Sequence, residues 1–147
     1  MSRYAKQSQR ALLLAGAIAV GGCGGTGTEP QRDPSGTYVL VSVNGSPLPG
    51  VVSRTTDRTT EMLASSVTIT ANQRFAFSGR TRMTTASGVN EFTQTGMGSW
   101  QLRGSALDMV PDDPSVMAPT TLTWDGAATL TANDPTGTVP VVMVFRK

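Results

Sequence analysis

Alternating apolar and polar residues recur in short runs along residues 36–147, with turn-forming residues between the runs. In 89–103 the large apolar residues occupy even positions, and polar residues occupy the odd positions apart from Met97. A period of two is typical of a strand with one buried face. Because the phase does not change across Gly96 and Gly98, the pattern predicts one long strand that bends at these glycines. The same analysis predicts eight strands, at 37–43, 63–70, 74–82, 89–103, 106–110, 121–125, 127–132 and 140–146.

The links between these strands alternate strictly between short and long. Tight turns are predicted at Asn72-Gln73, Gly104-Ser105 and Asp125-Gly126. The long links are 44–62, 83–88, 111–120 and 133–139. In an up-and-down meander successive links lie at opposite ends, so the long links share one end and both termini lie at the other. The predicted fold class is therefore all-β, an antiparallel up-and-down barrel that leaves no sheet edge, with an open sheet or a two-sheet sandwich as the alternative.

The predicted interior changes in bulk along the barrel axis. Towards the tight turns the inward positions are bulky: Tyr38, Val67, Ile69, Phe75, Phe77, Trp100, Leu102, Leu107, Trp124, Met143 and Phe145. Towards the long links they include Ser42, Ser65, Gly79, Thr81, Phe92, Gln94, Gly96, Met109, Leu122 and Leu130. A barrel of this size is either filled or holds one small ligand. We predict a closed floor and an upper pocket, unless the long links fill it, with ligand contacts from Ser65, Thr81, Phe92, Gln94, Met109 and Leu122.

The N-terminal segment 1–22 is typical of a signal peptide. Three basic residues precede the apolar run 11–20, which is about half as long as a membrane-spanning helix. The following Val20-Gly21-Gly22-Cys23 resembles the lipobox of bacterial lipoproteins. The resemblance implies cleavage before Cys23, a diacylglyceryl thioether on its sulfur and an acyl group such as palmitate on its amino terminus. An ordinary signal peptide with an incidental cysteine is the alternative.

Residues 23–35 then form a predicted flexible tether, because they lack apolar periodicity, and 36–147 form the barrel domain. The tether residues after the cysteine span about 20 Å.

Composition and charge exclude several classes of function. The chain has no His and one Cys, which excludes a Ser-His-Asp triad, a Cys-His dyad, multi-Cys zinc sites and an internal disulfide. Without the first 22 residues, nine basic residues face ten acidic ones, so no basic face for nucleic acid is indicated. We predict no catalytic residues, no cofactor and no metal. Asp112-Asp113 is interpreted as a solvated acidic turn rather than a cation site, and Arg74, Arg80 and Arg82 as a solvated face or partners of Glu91.

The predicted layout resembles the lipocalin-like barrels, including the small domains of that type in bacterial lipoproteins. Gly36-Thr37-Tyr38 resembles the family's Gly-x-Trp start, and the resemblance implies that Arg146 packs over that aromatic residue. Residues 43–49 and 98–104 also resemble such domains. The expected protein is a monomer, lipid-anchored in the cell envelope, with the periplasmic side of an outer membrane preferred. Its expected role is to bind a small amphipathic or apolar ligand. The alternatives are an interaction or hydrolase-inhibitor-like barrel that uses its long loops, and a structural lipoprotein.

Overall fold

A computed structural model of the chain describes residues 33–115, 120–134 and 140–147. The predicted signal peptide, Cys23 and most of the predicted tether lie outside the described residues. All regular structure within the described part is β. Nine strands occur there: β1 (Gly36–Val43), β2 (Gly50–Arg54), β3 (Arg58–Thr70), β4 (Arg74–Thr85), β5 (Gly88–Arg103), β6 (Ala106–Pro111), β7 (Thr121–Trp124), β8 (Thr129–Asp134) and β9 (Val141–Arg146).

Eight of the strands close into an antiparallel barrel, which confirms the predicted fold class. Neighbours in the sheet follow the chain from β3 to β9, and β9 then pairs with β1. The ring closes where β1 pairs with β3, from Gly36 opposite Ile69 to Val39 opposite Ser66. The additional strand, β2, lies outside this ring and pairs with the first part of β3, from Thr59 to Met62.

Both termini of the barrel lie at the same end, as predicted. Val39 of β1 is opposite Arg146 of β9, and the main-chain N–H of Lys147 donates to Ala128 O at 3.0 Å. We call this the lower end. At the upper end, the N–H of Asn44 donates to Val142 O at 2.7 Å, so the link after β1 begins beside the start of β9.

Three strands continue beyond the ring at the upper end. β3, β4 and β5 have 13, 12 and 16 residues, whereas β6 to β9 have only four to six. Because β6 pairs with β5 only from Gly98 onwards, the upper part of β5 has β4 as its one neighbour among the described strands. We call the sheet formed by β2 and residues 58–65, 79–85 and 88–97 the extension.

The extension corrects two of the predicted links. Segment 83–88 is not a long link, because β4 and β5 continue to a turn of only two residues, Ala86-Ser87. Thr85 Oγ1 bonds with Ser87 Oγ at 2.8 Å and with Gly88 O at 3.3 Å, which closes this turn. Segment 44–62 contains β2 and the start of β3. The prediction of one continuous strand across Gly96 and Gly98 is confirmed by β5.

The inward side chains of the ring form one apolar core. Eight of the eleven bulky inward positions that the sequence predicts belong to this core, and the other three, Trp100, Leu102 and Met143, pack against it while only partly buried. Gly98 is required by close packing, since a Cβ there would lie 2.2 Å from Val110 O and 2.6 Å from the Phe75 ring.

Two local features differ from the predicted pattern. A β-bulge between Leu40 and Ser42 changes the phase of β1, so that Val43 is buried and Ser42, predicted to point inward, is only half-buried. The turn between β7 and β8 spans four residues rather than Asp125-Gly126 alone. It is longer because the Asp125 carboxylate accepts the N–H groups of Ala127 (2.8 Å) and Thr129 (3.0 Å).

The fold also begins earlier than predicted. Pro34, assigned to the tether, is fully buried, and the Tyr38 hydroxyl donates to its carbonyl oxygen at 2.7 Å. This contact attaches the last residues of the predicted tether to the lower end.

Candidate functional site

Four of the six predicted ligand contacts share one face of the extension. Ser65, Gly79 and Gln94 lie in register across β3, β4 and β5, and Met62, Thr81 and Phe92 form the next such row above them. The face continues the barrel interior, because Gly79 and Thr81 follow the inward positions of β4. We call it the upper inner face, formed by Met62, Ser65, Gly79, Thr81, Phe92 and Gln94.

The side-chain bulk on this face decreases above Phe77, and we call the place at Gly79 where no side chain projects the recess. On β4 the inward positions change from two phenylalanines to Gly79 and then Thr81. The nearest atoms to a Cβ at Gly79 would be Ser65 Oγ at 3.7 Å and Met62 Sδ at 3.8 Å, which are ordinary contact distances. A Cβ would therefore be accommodated at Gly79, although Gly79 itself is buried.

The polar groups around the recess differ in how they are satisfied. Ser65 Oγ donates to Ser78 O at 3.0 Å, and Thr81 Oγ1 lies 3.8 Å from Met62 Sδ. Gln94 is half-buried, and its carboxamide makes no hydrogen bond to another described residue. Phe92, on the next row, is 48% exposed. The recess thus combines an available amide with apolar atoms of Met62 and Phe92.

The remaining two predicted contacts lie in the barrel core instead. Met109 is 2% exposed and Leu122 is fully buried, and both belong to the same apolar cluster as Phe75 and Phe145. Leu122 is opposite Leu107, which lies two positions before Met109 on β6. The structure therefore brings Ser65, Thr81, Gln94 and Phe92 together on one sheet face and places Met109 and Leu122 among core side chains.

The segment after β1 packs over part of the upper end of the core. Leu48, Val52 and Met62 are partly buried against it. Gly50 is held close to Val43, where a Cβ would lie 2.4 Å from Val43 Cβ. This arrangement agrees with the alternative in which long links fill the upper half. Met62 was not among the predicted contacts, because it lies in a segment predicted to be a loop.

At the lower end, the cation over Tyr38 comes from Lys147, which corrects the expectation for Arg146. Lys147 Nζ lies 5.2 Å from the centre of the Tyr38 ring, a distance that suits a cation–π contact. Arg146 is exposed on the outward phase of β9, since Phe145 points inward. Burial raises the pKa of the Tyr38 phenol, and the charge of Asp125 adds to this. Tyr38, Lys147 and Asp125 thus lie near one another at the lower end, and these three side chains do not form a nucleophile–base pair.

The acidic turn and the arginines have structural partners. Asp112 forms an ion pair with Arg74. Asp113 accepts hydrogen bonds from the N–H (2.8 Å) and the hydroxyl (2.7 Å) of Ser115. The bond from the Ser115 hydroxyl is the largest cause of the lowered pKa of Asp113. Arg82 bonds through Nη2 to Glu61 Oε2 at 2.9 Å, although Glu91 is also opposite it on β5. These contacts agree with the interpretation of Asp112-Asp113 as a turn.

In the described ranges, no group of three or more His, Cys, Asp or Glu residues is placed to hold a metal ion. A helix able to cross a membrane is likewise not found among those residues. Comparison with models of known protein families gives no match, and no curated protein matches the chain in sequence.

Proposed function

We propose that this protein is a bacterial envelope lipoprotein, anchored through Cys23, whose upper inner face binds a small amphipathic or apolar molecule without catalysing a reaction. The observation that carries the binding proposal is the recess at Gly79, bordered by Met62 and by the Gln94 carboxamide, which has no hydrogen-bond partner among the described residues. Sites for small molecules typically combine apolar walls with a few polar groups that fix orientation.

The side chains define what the ligand would need. The Gln94 carboxamide offers two donors and one acceptor, so it suits a hydroxyl, carbonyl or amide group. Met62 and Phe92 suit an alkyl or ring portion beside that group. No Lys or Arg belongs to the upper inner face, so an anionic head group has no counter-charge there.

The direction of the anchor favours capture from the aqueous compartment. The described chain begins at the lower end, and the upper inner face lies at the other end of β3, β4 and β5. A lipid on Cys23 would hold the lower end nearest the membrane, with the tether supplying about 20 Å of reach.

Binding is tested by filling the recess. Gly79→Leu adds a side chain where the nearest contacts to Cβ are 3.7 Å or more, whereas Ala76→Leu adds a similar side chain on the exposed face of the same strand. Native mass spectrometry of full-length protein purified from its own envelope should show a bound small molecule in the unchanged protein and in Ala76→Leu, and none in Gly79→Leu. Equal occupancy in both variants, with urea melts showing both folded, would contradict the assignment of the site.

The anchor is tested separately. Cys23→Ala should move the protein from the membrane fraction to the soluble fraction after a salt wash, because the acyl chains supply the membrane affinity. Retention of this variant in the membrane fraction would contradict lipid anchoring and leave the ligand proposal intact.

A protein partner is the second candidate, favoured by the exposed apolar side chains of the extension. Val89 is 59% and Phe92 is 48% exposed near its upper tip. A partner of this kind would co-purify as a protein rather than as a small molecule, and Gly79→Leu would leave it bound.

A further inference from the structure

Among the described strands, the upper part of β5 has a neighbour on one side only. β4 pairs with β5 from Gly88 to Ser99, whereas β6 pairs with it only from Gly98 onwards. Over residues 88–96 the described strands therefore cover one side of β5 and leave the other side without a neighbouring strand.

The hydrogen-bonding groups on that side follow from the contacts lower on β5. Met97 O accepts the N–H of Asp112 at 2.9 Å, on the β6 side, and the N–H of Trp100 donates to Gln73 O at 3.0 Å, on the β4 side. In an antiparallel strand both main-chain groups of a residue point the same way, and the direction alternates. The odd residues Val89, Glu91, Thr93 and Thr95 therefore direct their N–H and C=O groups to the open edge.

The two edges of the extension differ in how they are protected. β2, on the other edge, has only five residues, a bulge between Val51 and Ser53, and Arg54 at its end. Segment 88–96 has no proline and no basic residue, and its register with β4 continues without a bulge. Short length, bulges and charges are the usual means of preventing edge pairing, and this edge carries only Glu91.

We propose that this edge pairs with the same edge of a second copy of the chain, antiparallel and centred on Phe92. The free segment 88–96 has its midpoint at Phe92, so this register uses its whole length. Phe92 then lies opposite Phe92 of the second copy, and Asn90 lies opposite Gln94. On the other face Glu91 lies opposite Thr93, so no like charges face each other.

This register also accounts for the exposure of Phe92, which is 48% exposed in the single chain. Aromatic side chains directly opposite each other across antiparallel strands are a favourable pair. The two extensions would join into one continuous sheet, and the chain would be a dimer rather than the monomer expected from the sequence. The inference does not rest on the proposed ligand, because it uses the open edge of β5 and the exposed Phe92 ring rather than the recess at Gly79.

The register is tested by a single cysteine. Phe92 and Phe92 of the second copy would form a non-hydrogen-bonded pair with Cα atoms about 4.5 Å apart, which suits a disulfide. In full-length protein produced in a bacterial envelope, Phe92→Cys should form a disulfide-linked dimer on a non-reducing gel. Val89→Cys is the matched control on the same edge, since the residue opposite it would be Thr95, and it should remain at background.

The role of the main chain is tested in the Phe92→Cys background. Thr93→Pro removes an N–H that points to the open edge and no bond to β4, so it should abolish the cross-link. Thr93→Val keeps the N–H and should retain the cross-link. An unchanged melting temperature for Thr93→Pro shows that the chain still folds.

Three outcomes would overturn the proposal: no cross-link with Phe92→Cys in folded protein, equal cross-linking of Phe92→Cys and Val89→Cys, or linkage to a protein of another mass. The last outcome would assign the edge to a foreign strand. Gly79→Leu should leave the cross-link unchanged, so failure of the ligand proposal and failure of the dimer give different results.

Discussion

The lower and upper parts of β3, β4 and β5 belong to the same continuous strands but have different inner faces. In the lower part the inward residues Val67, Phe75 and Phe77 are buried to 8% exposure or less. In the upper part the corresponding positions are small or polar, and Phe92 is 48% exposed. Strand pairing continues through both parts: β4 and β5 stay in register from end to end, and β3 pairs with β4 throughout with one bulge between Met62 and Ala64.

The difference arises from the lengths of the other strands. β6 to β9 have four to six residues and end before β3, β4 and β5 do. Where all eight ring strands are present, the sheet closes and the side chains on its inner face are buried. Above that level the short β2 is the one described strand that continues beside them, so no described strand closes the sheet over its inner face. Closure, rather than strand pairing, therefore decides which inward residues become core.

The largest expected contrast compares the same substitution in the two parts. Phe75→Ala should lower the free energy of unfolding by about 3–5 kcal/mol, because it deletes a buried ring from a filled core. Phe92→Ala should cost less than about 1 kcal/mol, because about half of this residue is already exposed. Urea melts of dilute protein measure both. Similar costs for the two variants would show that the extension is as well packed as the ring.

Glycine provides the next contrast. Gly98→Ala should cost about 1–3 kcal/mol, because the added methyl group would meet Val110 O and the Phe75 ring at 2.2 and 2.6 Å. Gly79→Ala should be neutral or stabilise by about 0.4–1 kcal/mol, since its nearest contacts are ordinary and alanine restricts the unfolded chain. Thermal melts with a calibrated heat of unfolding give the two values. A loss of stability at Gly79 would mean that the recess is filled.

The sequence predicted the closed ring because alternation and turn chemistry agree there. The phase of β5 across Gly96 and Gly98 is fixed by its large even-numbered residues, and it placed Trp100 and Leu102 on the correct side. The phase of β9 also indicates which basic residue can lie over Tyr38 at the lower end. Because Phe145 points inward, Arg146 must point outward, and the next residue, Lys147, is then the basic residue that can reach the ring.

The extension was less predictable because its signals are weaker. β2 contains adjacent valines at 51 and 52, and its bulge removes the alternation that would identify a strand. The turn at Ala86-Ser87 lacks the Asn-Gly or Asp-Gly signature of a two-residue hairpin. The height of a side chain along the barrel axis depends on strand tilt and stagger, which a period of two does not specify. For this reason the alternation places Met109 and Leu122 on the inward face but does not show whether they line a pocket or belong to the core, where the structure places them.

Ion pairs in the two parts should differ by less than the packing does. In the extension Arg82 Nη2 lies 2.9 Å from Glu61 Oε2, with side chains 34% and 22% exposed. At the lower end Arg103 Nε lies 3.2 Å from Asp108 Oδ2, with side chains 71% and 35% exposed. Glu61→Gln should cost about 0.5–1 kcal/mol and Arg103→Gln less than about 0.5 kcal/mol. Both costs should shrink in 1 M salt, and a larger cost at Arg103 would reverse the comparison.

The smallest expected effect is a difference in acid sensitivity between the two ends. Hydrogen bonds from the main-chain N–H groups of Thr129 and Ala127 hold the pKa of Asp125 below its ordinary value. At the tip of the extension, the Thr55 hydroxyl is the largest cause of the lowered pKa of Asp57.

Because each pKa is lowered on folding, the stabilisation is complete above the ordinary aspartate pKa, about 4, and is lost as the pH falls through the lower folded value. Asp125→Asn keeps an acceptor oxygen for the turn but removes the charge. It should therefore reduce the loss of stability between about pH 5 and pH 2 more than Asp57→Asn does, because two main-chain donors in the β7–β8 turn depend on the Asp125 charge. Urea melts across this pH range measure the slopes. If the slope of Asp125→Asn equals that of the unchanged protein, the lower turn does not contribute to the acid dependence.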